Sequence, residues 1–167
     1  MPTNGLICPN MQLIVDNRYV TKATEIIQAA QGEIILSTFK IQTGHNKRTE
    51  ILRNMIQLLE EKLKAGVKIL LLFNWKDNHK GVARTNEPVA NALRAAGADV
   101  RFLKEGRCCH SKLLLVDKSK IIIGSHNWSA ASLQENYEMS LFIESAKMAK
   151  VLRDKFLQTF ADAARWL

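Results

Sequence analysis

The stretch His110–Asn127, HSKLLLVDKSKIIIGSHN, decides how this chain is read. Two apolar runs, KLLLVD and KIIIG, stand either side of Lys118-Ser119, a pattern that predicts an antiparallel hairpin. Polar residues are set into it at fixed spacing: His110, Lys112, Asp117, Gly124, Ser125 and Asn127. His110 and Lys112 are two apart on the predicted strand, so they share a face and Ser111 turns the other way. Gly124 and Ser125 end the partner run, where a glycine lets the backbone turn closely and expose polar groups. Asn127 follows within reach of the same end.

Such a set suits a phosphodiester. Anionic oxygens shield the bridging phosphorus, so an attacking group needs cationic and hydrogen-bonding cover. Lys112 supplies a point charge, and Asn127 and the Ser125 hydroxyl are donors for non-bridging oxygens. Histidine suits nucleophilic or acid–base work because its ordinary pKa lies near neutrality. Singly, each residue is commonplace, since a His at a strand start is usually structural and Gly-Ser turns are frequent. Together they are not: at about one in twenty per position, six specified residues would match by chance in far fewer than one in a thousand such chains.

Outward from the hairpin the chain alternates. MQLIVD (Met11–Asp16) and EIILSTF (Glu33–Phe39) predict strands. The helix between them carries Tyr19, Ala23, Ile26, Ile27 and Ala30 on one face and ends at Gly32. Lys47 to Ala65 places Ile51, Met55, Leu58, Leu59 and Leu63 on one helical face, closed by Gly66. VKILLLFN (Val67–Asn74) predicts a further strand, then a polar loop, WKDNHKGVARTN, a helix from Glu87 to Ala96, and a strand in ADVRFL. Beyond the hairpin come loop residues to Glu135 and a strand in YEMSLFI. A last helix carries Met148, Val151, Leu152, Phe156, Phe160 and Ala164. The β-α repetition predicts an α/β fold whose first strands are parallel. With 167 residues and neither linker nor repeat, the chain reads as one catalytic domain, 1–167.

His110-x-Lys112-x4-Asp117-x6-Gly124-Ser125-x-Asn127 matches the HKD signature of the phospholipase D superfamily at each signature position. Asn136-Tyr137-Glu138 resembles that family's N-x-E element. A short chain with a single HKD copy most resembles the Nuc-type bacterial endonucleases and the related mitochondrial cardiolipin hydrolase/nuclease group. The resemblance implies a phospholipase D-like fold, a mixed central sheet flanked by helices. It implies His110 as nucleophile, forming a covalent phosphohistidine, while a second copy of the histidine protonates the leaving oxygen and later activates water. Lys112 and Asn127 would hold the phosphate with Ser125 assisting, and Glu138 would orient a histidine through its Nδ1–H. Asp117 is assigned mainly to holding the pocket together. Two histidines are needed and the chain has one motif, so the resemblance implies an isologous homodimer with one active site shared at the two-fold interface.

A net charge of +8 fits a polyanionic partner, nucleic acid (DNA or RNA) or an acidic membrane surface. Lys40, His45, Asn46, Lys47 and Arg48 follow one predicted strand, and Trp75, Lys76, His79, Lys80 and Arg84 follow the next. If those strands are parallel, both loops emerge at one sheet edge, suited to tracking a phosphate backbone while Trp75 stacks a base. Ordinary solvated loops would look the same. Gly124 and His126 are further substrate-contact candidates at the turn, whereas Trp128 suits packing beneath it. Cys8, Cys108 and Cys109 form no C-x2-C pair and no carboxylate cluster accompanies them, so neither metal nor cofactor is expected. No apolar run reaches the ~20 residues of a membrane span, no signal peptide is visible, and the few cysteines suit a reducing compartment, so a cytoplasmic location is expected. The leading expectation is a metal-independent, non-specific endonuclease. The alternatives are a phospholipase D or cardiolipin hydrolase using the same site on membrane lipid, a non-catalytic binding module, and the catalytic piece of a larger restriction or repair enzyme.

Overall fold

The structure, a computed structural model, describes residues 10–44, 46–74, 80–103 and 107–165, without the side chains of 80–84. In chain order the elements are β1 (Met11–Val15), α1 (Arg18–Gln28), β2 (Glu33–Thr38), a 3-10 turn (Lys47–Thr49) running into α2 (Glu50–Lys64), and β3 (Lys68–Phe73). They continue with α3 (Lys80–Ala95), β4 (Asp99–Phe102), β5 (Leu113–Val116), β6 (Lys120–Gly124), α4 (Ala130–Gln134), β7 (Met139–Glu144), α5 (Ala146–Asp162) and β8 (Ala164–Arg165). The strands form an eight-stranded mixed sheet in the order β1-β7-β6-β5-β2-β3-β4-β8.

β2 and β3 are apolar with little alternation, as strands covered on both faces must be, and they pair in parallel from Glu33–Lys68 to Thr38–Phe73. β4 adds to β3 in parallel. The expected parallel start therefore holds for β2 to β4. It fails for β1, which pairs antiparallel with β7 at the sheet edge. Alternate residues of each strand feed two cores. On one face Tyr19, Ala23 and Ile27 of α1, Leu52 and Leu59 of α2, and Val89 and Leu93 of α3 pack with Ile34, Leu36, Leu71, Leu114 and Ile122. On the other, Ala149, Phe156 and Phe160 of α5 pack with Ile35, Leu72, Leu113, Leu115 and Ile121. Helices thus flank the sheet on both sides.

The predicted hairpin forms from β5 and β6, with Leu113 opposite Ile123 and Val116 opposite Lys120. Its turn uses left-handed backbone at Asp117 (φ 49°) and Lys118 (φ 59°), and the Ser119 N–H donates to the Val116 carbonyl at 3.2 Å. Two successive positive φ values suit the twist of the flanking strands. The Asp117 carboxylate accepts the N–H groups of Gln31 and Gly32 at 2.8 Å and of Glu33 at 3.0 Å. Those three bonds fasten the hairpin tip to the start of β2.

Several local expectations are corrected. α3 begins at Lys80 rather than Glu87, so much of the expected polar loop is helical and Pro88 lies inside the helix. Polar anchoring replaces apolar periodicity there: the Asn86 side chain accepts the Ile41 N–H at 2.8 Å and donates to the Phe39 carbonyl at 3.1 Å. Residues 130–134, expected as loop, form α4, capped by Ser129 accepting the Ser132 N–H. Five residues are too few to show a helical period. Ala164 leaves the last helix to pair with Phe102 in β8, and Met148 and Val151 of α5 stay exposed. Among the described residues no helix is long and apolar enough to cross a membrane.

Candidate active site

The ends of β1, β2 and β6 meet the starts of β5 and β7 at one rim of the sheet. The register sets Leu13, Leu141, Ile123, Leu113 and Ser37 in a transverse row just beneath that rim. His110, Lys112, Ser125, Asn127 and Glu138 all lie at or just past it. His110 and Lys112 precede β5 rather than lying on it, a further correction to the sequence reading.

His110 is exposed. Lys112 folds over it: Nζ donates to the His110 carbonyl at 2.8 Å and stands 3.1 Å from its Nδ1. The Phe39 ring walls the pair, 5.3 Å from the imidazole and 5.8 Å from the ammonium. Burial lowers the Lys112 pKa, and Cys109, Cys108 and Glu138 oppose that shift. A partly desolvated ammonium attracts an incoming anion more strongly than one in bulk water.

The Asn127 N–H donates to Ser132 Oγ at 2.8 Å, and its Oδ1 accepts the Lys40 N–H at 3.2 Å and faces Thr38 Oγ1 at 3.4 Å. With its oxygen engaged, the carboxamide nitrogen is the group left for an oxyanion. Ser132 donates onward to Glu138 Oε1 at 2.8 Å, Asn136 Nδ2 donates to the same oxygen at 3.2 Å, and Ser125 donates to Oε2. The Met139 N–H donates to Ser125 Oγ at 3.1 Å. Burial pushes the Glu138 carboxyl up, but the Ser125, Ser132 and Asn136 hydrogen bonds outweigh it and hold the pKa below its ordinary value. Glu138 is therefore an ionised acceptor, and its bonds within the chain do not include His110.

Other sequence candidates separate from this group. Asp117 stands at the far end of β5, about 20 Å from His110 at the rise of an extended chain. Its three N–H bonds outweigh the effect of burial and lower its pKa. His126, expected at the substrate, is 1% exposed. Its Nε2–H donates to the Asp16 carbonyl at 3.0 Å, its Nδ1 meets Ser140 Oγ at 2.7 Å, and its ring stacks on Tyr19. That reading is corrected: His126 is a core histidine. Trp128 packs beneath the turn as expected, donating to the Tyr19 hydroxyl at 3.0 Å. Gly124 lies so close to β7 that a Cβ would collide with Ser140 and the Met139 carbonyl, so strand approach accounts for the glycine. Lys40 reaches the rim, where its carbonyl accepts the Trp128 N–H at 3.0 Å. His45, Trp75, Lys76 and His79 lie outside the described residues, as does Cys8. Lys80 and Arg84 fall in the first turns of α3, their side chains outside the description.

Three structural residues escaped the sequence reading. Asp16 (φ 50°) receives the Glu138 N–H on its carboxylate at 2.9 Å and returns its own N–H to the Glu138 carbonyl at 3.0 Å. Its only signal was an Asp at a strand end, a residue that tolerates left-handed backbone. Ser132 links Asn127 to Glu138, and Asn86 pins the backbone either side of Lys40; neither carried a local signal.

Comparison with known proteins adds to this geometry. The family described as "Cardiolipin synthase, PLD-like domain" matches residues 23–160. The cardiolipin synthase of Listeria welshimeri is 31% identical over 94 residues, 56% of this chain and 19% of that protein. The phospholipase D of Rickettsia conorii is 31% identical over 85 residues, 51% of this chain and 40% of that protein. The chain thus spans less than half of either relative. Among solved structures, the phospholipase D family member Nuc from Salmonella typhimurium superposes with a TM-score of 0.77 at 16% identity, covering 93% of this chain and 98% of Nuc.

Proposed function

The chain belongs to the phospholipase D-like domain family, and from that premise we propose that it is a phosphodiesterase cleaving nucleic-acid phosphodiester bonds at the His110 rim. One observation carries the reading: His110 and Lys112 stand 3.1 Å apart at an open rim, beside the Asn127 amide and the Ser125–Glu138 pair. The net charge of +8 supports a polyanionic substrate. On this reading residues 1–167 act as one catalytic domain.

His110 attacks phosphorus, the bond to the leaving oxygen breaks, and an acid supplies that oxygen with a proton. Lys112 turns from His110 to the phosphate, where it and the Asn127 amide hold the non-bridging oxygens. Water then attacks the phosphohistidine, a base takes its proton, and the N–P bond breaks. The acid and the base are one group, the His110 of a second copy, because the chain carries one motif. Glu138, bonded in its own chain to Ser125, Ser132 and Asn136, orients the histidine of that second copy through Nδ1–H.

An apolar strip supports self-association. Leu13 of β1 lies opposite Leu141 of β7, with Met139 toward the rim and Met11 away from it, exposed on the face that α5 leaves uncovered there. Leu13 is 56% exposed and Leu141 38%. The strip borders Ser125 and Glu138, and a two-fold contact would bury it against its own copy.

The names of the relatives favour a second reading, a phosphatidyl-transferring or lipid-hydrolysing enzyme with the same site. One panel separates the two. Wild type and His110→Ala are offered single- and double-stranded DNA, RNA and cardiolipin vesicles with EDTA present. Cleavage of nucleic acid by wild type alone, without added metal, is expected. Lipid turnover without nucleic-acid cleavage reverses the assignment, and activity that returns only with magnesium overturns the metal-independent mechanism.

A further inference from the structure

The sheet holds the segment that carries His110 by its backbone only at the segment's end, where the Gly124 N–H of β6 donates to the Lys112 carbonyl at 3.3 Å. Backbone pairing between β2 and β5 stops at Ser37 opposite Leu113, and residues 107–112 have no regular secondary structure. Side chains hold the rest of it. Asn74, just past β3, accepts the Cys109 N–H on Oδ1 at 3.0 Å. The Ser37 hydroxyl lies 3.3 Å from the Cys109 sulfur and within hydrogen-bond contact of the Ser111 hydroxyl. The Cys109 thiol also lies 3.6 Å from the Leu72 carbonyl. The residues before and after His110 are thus fastened to β2 and β3. In an extended backbone, neighbours bound on one face send the residue between them to the other.

Neither anchor belongs where it stands on packing grounds. Ser37 and Asn74 are each 1% exposed, and Cys109 is 2% exposed. Ser37 interrupts an apolar row between Leu72 and Leu113. Among the described residues, Asn74 Nδ2 is the buried side-chain polar atom with no partner. An apolar residue there would remove that cost, so the reason for a carboxamide lies at its other end, on the Cys109 N–H. Two polar residues set in apolar surroundings converge on the same three-residue segment.

We propose that Ser37 and Asn74 are positioning residues for His110, fixing its imidazole by fastening Cys109 and Ser111. The proposal rests on His110 as the attacking group and deepens that assignment. In-line attack requires the ring within a narrow cone, and a loosened ring spends less time there without changing how substrate is held. Burial raises the Cys109 pKa, so the thiol stays neutral and contributes only hydrogen bonding and packing.

The test measures steady-state hydrolysis of bis(4-nitrophenyl) phosphate and, separately, ring mobility of His110 by NMR of 13C-histidine-labelled protein. Four histidines make assignment direct, with His110→Ala identifying the signal. Ser37→Ala and Asn74→Ala should each lower kcat about tenfold with KM unchanged, and the His110 ring signal should show increased mobility. Asn74→Asp keeps the acceptor for Cys109 and should recover most of the loss. Ser111→Ala, at an exposed position, remains folded if a core variant does not, and should show the same effects more weakly. Unchanged kcat and unchanged ring mobility in folded variants overturn the proposal. If wild type hydrolyses no phosphodiester, the proposed function fails, while ring mobility still decides the positioning role.

Discussion

The side-chain oxygen of Asn127 receives the backbone N–H of Lys40 at 3.2 Å, across 87 positions of sequence. That bond orients the carboxamide, with its oxygen toward β2 and its nitrogen free. Asn127→Asp keeps the acceptor and places a negative charge where a phosphate oxygen would sit. Loss of about 10²–10³ in kcat is expected, the scale for removing one oxyanion donor. Circular dichroism and the melting temperature should stay near wild type; unchanged kcat in this variant would remove Asn127 from the site.

The shared-site reading predicts poisoning. His110→Ala subunits exchanged with an equal amount of wild type should leave about a quarter of the sites intact, since only wild-type pairs hold both histidines. Independent sites would leave half. Leu13→Glu or Leu141→Glu, on the exposed strip, should yield a folded monomer without activity, read by light scattering beside the hydrolysis assay.

Asp117 predicts an acid-side stability loss. Its folded pKa lies below the ordinary value because three backbone N–H bonds outweigh burial. A lowered carboxylate contributes stability that is present above its unfolded pKa, near 4, and is lost as pH falls through the folded value. Asp117→Asn should destabilise by about 1–3 kcal/mol at neutral pH, where one amide oxygen cannot replace two carboxylate oxygens. It should also melt with a shallower decline below pH ~4 than wild type does. Denaturant midpoints across pH would show this, and an identical acid slope would refute the assignment.

His126 predicts a separate decline nearer neutrality. Burial lowers its pKa, against the opposing Asp16 carbonyl, Glu138 and Asp16 carboxylate. Below the unfolded value of about 6.5 the unfolded chain takes up the proton first, so stability falls from there until the folded pKa is reached. His126→Gln should flatten that part of the curve while lowering stability at pH 7. A variant that weakens substrate binding instead would return His126 to the substrate contacts.

Legibility differed by the range of the interaction. The strands and the hairpin were readable because each is a local pattern of apolar residues; α1, α2 and β2 to β7 appear close to where periodicity places them. The edge pairing of β1 with β7 was not, since the partners lie more than a hundred positions apart. At the site, His110, Lys112, Ser125 and Asn127 gather at one rim as their spacing implied, and Glu138, suggested only by the family resemblance, joins them there. What escaped were Asp16 and Asn86, acting through long-range hydrogen bonds about which their neighbours in sequence say nothing. Ser132 escaped too: its partners Asn127 and Glu138 lie only five and six positions away, but are brought to it by the short α4 that no periodicity marks. His126 misled because proximity to Asn127 in sequence is not proximity in a structure where alternate side chains part to opposite sides.

Between Lys112 and Asp117 lie four residues, Leu113–Val116, and those four are β5. The gap in the motif is therefore a ruler, set by the height of the sheet between its rim and its base. Asp117 grips the base while His110 and Lys112 surface at the rim. A single residue inserted into β5 would lengthen the ruler by one pleat and turn the histidine and lysine toward α5, emptying the rim with every motif residue still present. A signature of this kind records a distance as much as a set of side chains, and a chain that kept the letters but lost the spacing should be inert.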